Sequence, residues 1–254
     1  MAALSFHSGL RNVGRLFLMR YLVYCILKAP GVNGESTAGV MGKTVYFVTA
    51  QGLAAAVSEA ASLENTPPVD ELLVYSRVVE ELFFKQAVVP LRYGCFLEGQ
   101  SEVRRILEEG ADRYGTLLNT VEGCVEMGIK LLFPKSAAIP SPSPQEAKSV
   151  NGGGYLEQRR AHYQMQEADT RQYQSLIDGY VQAFAGLYSR HRTETATRDG
   201  AIVLSLYFLV SRNNIDRFRE TFRPVVEQEG VKTLISGPWP PYNFVCPEFG
   251  ERSP

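Results

Sequence analysis

The sequence predicts an α+β protein built in two parts, an N-terminal α+β domain and a C-terminal ferredoxin-like domain. Two observations carry this. The first part of the chain reads as ββ(β)αβα, without the regular strand–helix alternation of a doubly wound fold. The second reads βαββαβ, the double split unit whose antiparallel sheet carries both helices on one face. The chain has 254 residues and is 45% hydrophobic, enough for two ordinary domains with sizeable cores.

In the first part, residues 20–117, RYLVYCILK (20–28) is an apolar run ended by APGVNG and reads as a buried strand. KTVYFVTA (43–50) alternates and is β-branched, a second strand. QGLAAAVSEA has alanines that favour helix. Gly52 and the polar exit leave room only for a short element, so a third strand is expected, hairpinned on the second. Asp70, after Pro67 and Pro68, is placed to cap a helix over 71–86 with an apolar stripe of Leu72, Tyr75, Val79, Leu82 and Phe83. AVVPLRYGCF (87–96) reads as one continuous strand. Ser101 caps a helix over 102–109, and another short helix extends to Asn119.

The second part, residues 118–244, opens with a strand over 122–133. PKSAAIPSPSPQEAKSV (134–150) holds four prolines and four serines and reads as an extended insertion. NGGG (151–154) breaks the chain before a helix over 155–188, on which Tyr173, Leu176, Ile177, Tyr180, Phe184 and Leu187 form an apolar face. Such a helix would reach about 50 Å, so a kink or a projecting end is expected. A strand near 190–198, a turn at RDG (198–200) and a strand over 201–210 follow. Next comes a helix over 213–230, with Asn214 as cap, Pro224 as kink and Gly230 as stop. VKTLISGPW (231–239) closes the sheet.

Residues 1–19 are expected to be a disordered extension, with Met19 as an ancestral start, and 245–254 a tail. Arg11 and Arg15 before LFLMRYLVYCIL imitate a signal peptide. However, Arg20 interrupts the run, no small-residue cleavage site follows, and the run is too short for a bilayer.

Net charge is −1, from 26 basic and 27 acidic side chains. No global field draws the chain to nucleic acid or a membrane surface, and neither is expected as a partner. The four cysteines form no CxxC pair and have no histidine at ligand spacing, so no metal is expected. They read as buried thiols in a reducing, cytoplasmic compartment. No phosphate-binding glycine loop or nucleophile elbow occurs, and His7, His162 and His191 stand far apart. The pairs Glu80/Glu81 and Glu108/Glu109 point in different directions on helices and cannot work as acid and base together. No catalytic residue and no cofactor is expected. Arg92, in the apolar VVPLRYG, either pairs with an acid at the domain edge or contacts a partner or anion.

Three stretches carry a family resemblance. AVVPLRYGCFLEG (87–99), GGGYLEQRR (152–160) and above all LISGPWPPYNF (234–244) resemble the motifs of the gas vesicle protein F/L family, in order and spacing, over roughly 20–244. Tyr93 and Cys95 depart mildly from the Phe and Thr common there. The resemblance implies a two-domain, non-enzymatic accessory protein of the gas vesicle with a ferredoxin-like second domain. It also implies partners: the hydrophobic major shell protein (GvpA type), whose nucleation and assembly it would assist, and other gas vesicle accessory proteins. The rival readings are an enzyme and a regulatory ligand-binding module. The expected partner-binding residues are Arg92, Tyr173, Tyr180, Phe184, Tyr188, Trp239 and Tyr242, with the aromatic stripe part core and part surface. For LISGPWPPYNF, Gly237 and Pro238 are expected to end the last strand. Trp239 would then fold back to plug the core, or else serve a partner-docking tail.

Overall fold

The structure is a computed structural model that describes residues 20–29, 37–60, 67–133, 173–198, 201–225 and 232–245. The expected N-terminal extension, the insertion 134–150, the first part of the long helix, the tip of the RDG turn, the Gly230 stop and the tail beyond 245 lie outside them.

The first sheet is organised around β1 (Arg20–Lys28), whose residues from Tyr21 to Leu27 are all buried. Such a continuous run needs cover on both faces. On one face, Leu22 and Tyr24 pack under helix α1 (Val69–Lys85). On the other, Tyr21, Val23 and Ile26 pack with α2 (Gly99–Glu109) and α3 (Ala111–Val121). The strands run β2 (Tyr46–Ala50), β3 (Leu53–Ala60), β1, β4 (Val88–Pro90), and β5 (Phe96–Glu98) also pairs with β1. The β2–β3 hairpin turns on Gln51 (φ 49°) and Gly52 (φ 74°), both left-handed as a tight type I′ turn requires. The third strand expected from QGLAAAVSEA is therefore present despite its alanines.

The expected continuous strand over 87–96 is instead two short strands. A bulge in β1 between Val23 and Cys25 explains this. Leu91 N–H donates to the Tyr24 carbonyl and Val23 N–H to the Cys95 carbonyl, each at 3.0 Å. Residues 91 and 95 thus serve adjacent places on β1, and Arg92–Gly94 are forced out as a turn, with Gly94 at φ 101°. Three smaller expectations also change. Pro68, not Asp70, is the N-cap of α1, and α2 begins at Gly99, ahead of Ser101. Leu72 is 38% exposed, because the buried stripe of α1 starts at Tyr75.

The second sheet runs β7 (Tyr188–Arg198), β8 (Ala201–Ser211), β6 (Cys124–Phe133), β9 (Lys232–Trp239), antiparallel throughout. The last strand lies beside the first, with the middle hairpin on the far side, which is ferredoxin-like topology. Helix α4 (173–183) and helix α5 (Ile215–Val225) cover one face. There Val125, Met127, Ile129 and Leu131 meet Tyr180, Phe184, Phe218 and Phe222. Phe184 stands 4.3 Å from Phe218 and 5.6 Å from Phe208, centroid to centroid. Asn214 offers its side-chain amide to the Leu187 carbonyl at 3.5 Å.

The sheets share their core. Tyr24, Tyr75 and Phe83 belong to the same buried cluster as Met127, Phe184 and Phe208. Arg212, at the end of β8, donates to the Phe83 carbonyl at 2.9 Å and lies 4.4 Å over the Phe83 ring. Tyr75 is the hub of the first part. Its ring stacks on Tyr24 at 4.9 Å, and its hydroxyl lies 2.9–3.2 Å from the carbonyls of Leu91, Val23 and Tyr24. One O–H serves these three acceptors, where β1, α1 and the 91–95 turn converge. Tyr75→Phe keeps the packing and removes the donor, so equilibrium unfolding of the full chain should show a loss of roughly 1–2 kcal/mol.

Candidate functional site

Strand alternation sends Glu126, Gly128, Lys130 and Leu132 of β6 to the face opposite the helices. Across the ladders they meet Leu209, Tyr207, Ser205 and Val203 of β8, and Trp239, Ser236, Leu234 and Lys232 of β9. One end of this face is covered. Leu209 is buried in a cluster with Val121, Leu118, Phe244 and Val245. The other end is open: Leu234 is 61% exposed and Leu132 39%, while Lys130 and Lys232 stand out between the leucines; Trp239, 46% exposed, lies on the same face but opposite Glu126, at the covered end. Leu132 and Leu234 are diagonal neighbours on adjacent strands, within reach of each other. Beside them, β9 is the edge of the sheet. The open face is thus an apolar patch with a lysine fringe, next to a strand edge.

The segment after β9 makes the covered end. Glu126 is buried, and its carboxylate accepts from the Asn243 backbone N–H at 2.8 Å and from Asn243 Nδ2 at 2.6 Å. This clip holds the short helix α6 (Tyr242–Val245) against β4. Phe244 and Val245 then enter the core beneath Tyr21, Val23 and Ile26. Burial pushes the Glu126 carboxyl above its ordinary value; the two Asn243 bonds pull it back in part.

These contacts correct the reading of LISGPWPPYNF. The strand does not end at Gly237–Pro238. The register passes from Gly128↔Ser236 to Glu126↔Trp239, so Gly237 and Pro238 together oppose Met127 in a bulge, and pairing resumes. The bulge absorbs the residue that has no N–H. Gly237 has φ 109°, and a Cβ there would lie 2.6 Å from the Glu126 carbonyl, which explains the glycine. The bulge also returns Trp239 to the outer face, so it does not plug the core. Pro240, Pro241, Phe244 and Val245 are buried in its place.

The other expected partner-binding residues separate. Tyr180 and Phe184 are core and offer no surface to a partner, which corrects that part of the stripe. Tyr173 and Tyr188 are half-buried against the same core: Tyr173 lies 4.8 Å from Phe133, and Tyr188 5.0 Å from Phe208. Tyr242 is half-buried beside the clip. Arg92 is exposed on the 91–95 turn and has no carboxylate partner among the described residues. Its neighbour Tyr93 donates to Glu71 at 2.7 Å, which sets the turn beside the first turns of α1. There Val69, Leu72 and Leu73, at i, i+3 and i+4, form a second exposed apolar group. Sequence reasoning missed Leu132, Leu234, Glu126 and Asn243. The IKLLF and KTLIS runs place apolar residues at both parities, so they do not say which face is open.

The family model for gas vesicle synthesis protein GvpL/GvpF matches residues 20–246. The chain belongs to this family. Among curated relatives, gas vesicle protein L of Streptomyces sp. (strain CB03234) is 28% identical, with 85% of each chain covered. Gas vesicle protein F of the same strain is 26% identical, over 89% of this chain and all of the relative. Relatives of both names thus match at similar identity. The crystal structure of gas vesicle protein GvpF from Microcystis aeruginosa superposes with a TM-score of 0.72 at 15% identity, covering 89% of this chain and 99% of that one. That likeness shows the shared fold.

As a GvpL/GvpF member the protein has an accessory role in the gas vesicle. Among the described cysteines, burial raises Cys25 far above the ordinary range and Cys95 to about 11, and raises Cys124 as well, which disfavours the thiolate at each. Among the described residues no cluster of three or more His, Cys, Asp or Glu is placed to hold a metal ion, and no helix is long and apolar enough to cross a membrane. Among the described residues, exposed apolar side chains gather on β6 and β9 and on α1.

The clip makes stability depend on pH. Glu126 is raised in the folded state, so between its unfolded and folded values the native chain binds the extra proton. Its contribution is therefore full below the ordinary glutamate range and declines as pH rises through the raised value. Thermal midpoints across that window should fall more steeply for the unsubstituted chain than for Glu126→Gln. Glu126→Ala should lose roughly 1–3 kcal/mol by leaving the Asn243 donors unpaired.

Proposed function

We propose that the protein binds the hydrophobic major shell protein of the gas vesicle (GvpA type), shields it from aggregation and presents it for shell nucleation and growth. The contact is the open end of the second sheet. The observation that carries this reading is the pair Leu132 and Leu234 on the uncovered end of one sheet face, with Trp239 exposed further along the same face and the outer edge of β9 unpaired among the described residues. An apolar subunit aggregates unless its exposed surface is met by another apolar surface. A sheet edge adds main-chain hydrogen bonds at no cost in side-chain specificity. Lys130 and Lys232 keep the accessory protein itself in solution. Other gas vesicle accessory proteins are the further partners in this reading, and Val69, Leu72 and Leu73 on α1 are the surface left for them.

Co-expression with the shell protein tests the placement. Leu234→Asp and Trp239→Ala should each abolish or strongly reduce co-purification and return the shell protein to the insoluble fraction. Both side chains are largely outside the core, so the thermal midpoint should move by no more than a few degrees. Capture that survives both changes but is lost in Leu73→Asp would move the contact to α1.

A further inference from the structure

The second sheet has another edge, which the reading above does not use. β7 is the outermost strand on the side away from β9. Residues 189–197 are exposed without interruption, although their partners on β8, Leu204, Leu206 and Phe208, are fully buried. Among the described residues the helix layer therefore stops at β8, and β7 stands out beyond it. Its single irregularity against β8 lies between Tyr188 and Arg190, so the stretch from Arg190 onward is a regular ladder. Among the described residues nothing pairs with its outer edge. Proteins blunt such edges with proline, a bulge or repelling charge. The run RHRTETAT has no proline, and threonines, which suit a strand, occupy every second position from 193.

We propose that the occupant of this edge is a second copy of the chain, paired antiparallel β7 to β7 about a two-fold axis at Thr193. The charge order selects that register. A two-fold perpendicular to the sheet opposes residues of equal parity, so each centre gives a definite set of pairs. Centring on Arg192 sets that arginine against itself, and centring on Glu194 sets that glutamate against itself. Centring on His191 opposes Arg190 to Arg192 of the other copy. Centring on Thr193 opposes Arg192 to Glu194 twice, Thr193 to Thr193, His191 to Thr195 twice, and Arg190 to the small Ala196. Opposite charges and Thr–Thr pairs directly across an antiparallel ladder are stabilising, and like charges are not. Glu194 is already steadied on that face by the Tyr207 hydroxyl, 3.3 Å from its Oε2, and its other oxygen is left for the arginine. The result is one continuous eight-stranded sheet across the dimer, with a β9 strand at each end. An interface limited to one strand pair is small, so the dimer is weak and forms in the micromolar range.

Sedimentation velocity of the full chain across that range tests the pairing. The unsubstituted protein should shift from monomer to dimer with concentration. Arg192→Glu and Glu194→Arg should each weaken the dimer roughly tenfold or more, since each replaces two attractions by two repulsions. The double swap carrying both changes should restore it, because the opposed pairs are again unlike. Thr193→Cys should give a disulfide-linked dimer on mild oxidation, above the background of the unsubstituted chain. A chain that stays monomeric throughout, or a dimer that the single charge reversals leave intact or that the double swap fails to rescue, overturns the proposal. A heterologous strand on this edge would also leave the chain alone monomeric.

Discussion

A carboxylate withdrawn from water needs donors, and Glu126 finds both of its donors on Asn243. That requirement decides where the chain goes after its last strand. It draws the Pro-Pro-Tyr-Asn-Phe segment across from the second sheet to the first and lodges Phe244 and Val245 among the side chains of β1, α2 and α3. It also divides the outer face of the second sheet into a covered end and an open one. A carboxylate is a poor choice for stability alone, since an apolar pair of the same shape costs less desolvation. Its advantage is direction: two hydrogen bonds to one asparagine allow one position for the segment, which greasy contacts would leave free to slide.

The same division of labour runs through the rest of the core. Apolar bulk supplies most of the favourable energy, as in the Phe184–Phe208–Phe218 group. A few polar contacts specify the arrangement. The Tyr75 hydroxyl sets α1 against the bulge in β1, and Tyr24 ties Ser58 and the Val40 N–H together at 2.9 Å each. Arg212 fixes the seam between the two sheets at the end of α1. Because the seam is a shared core, the open patch on β6 and β9 and the exposed group on α1 are held on one packed frame, which suits the proposed presentation of surfaces.

In the proposed role of shielding an apolar shell subunit, the exposed leucines and tryptophan have a use that a bland globular surface would not. Lysines interrupt the leucines on that face. The two edges of this sheet differ in chemistry. β9 is flanked by apolar side chains and carries a bulge in its second half, whereas β7 is polar, rich in threonine and regular from Arg190 onward. Edges so unlike suit different partners, and a sheet extended through β7 would double the number of β9 edges without hiding either.

The order of elements was legible in the sequence because it follows from local periodicity. Alternating and continuous apolar runs mark the strands, Gln51–Gly52 marks the hairpin, and βαββαβ leaves ferredoxin-like pairing as the natural closure. The family, too, was legible from LISGPWPPYNF, whose glycine is required by the close approach to the Glu126 carbonyl. Tertiary structure alone decided which side of each strand faces out. In β6 and β9 apolar residues occupy both parities, so only the register across the ladder tells that Leu132 and Leu234 lie uncovered and, through the Gly237–Pro238 bulge, that Trp239 looks outward on the same face. In the same way the bulge in β1, a matter of one residue's pairing, broke AVVPLRYGCF into two strands and put Arg92 on a turn. Period and propensity are properties of neighbours along the chain; register is a property of partners across it, and the surface this protein offers depends on register.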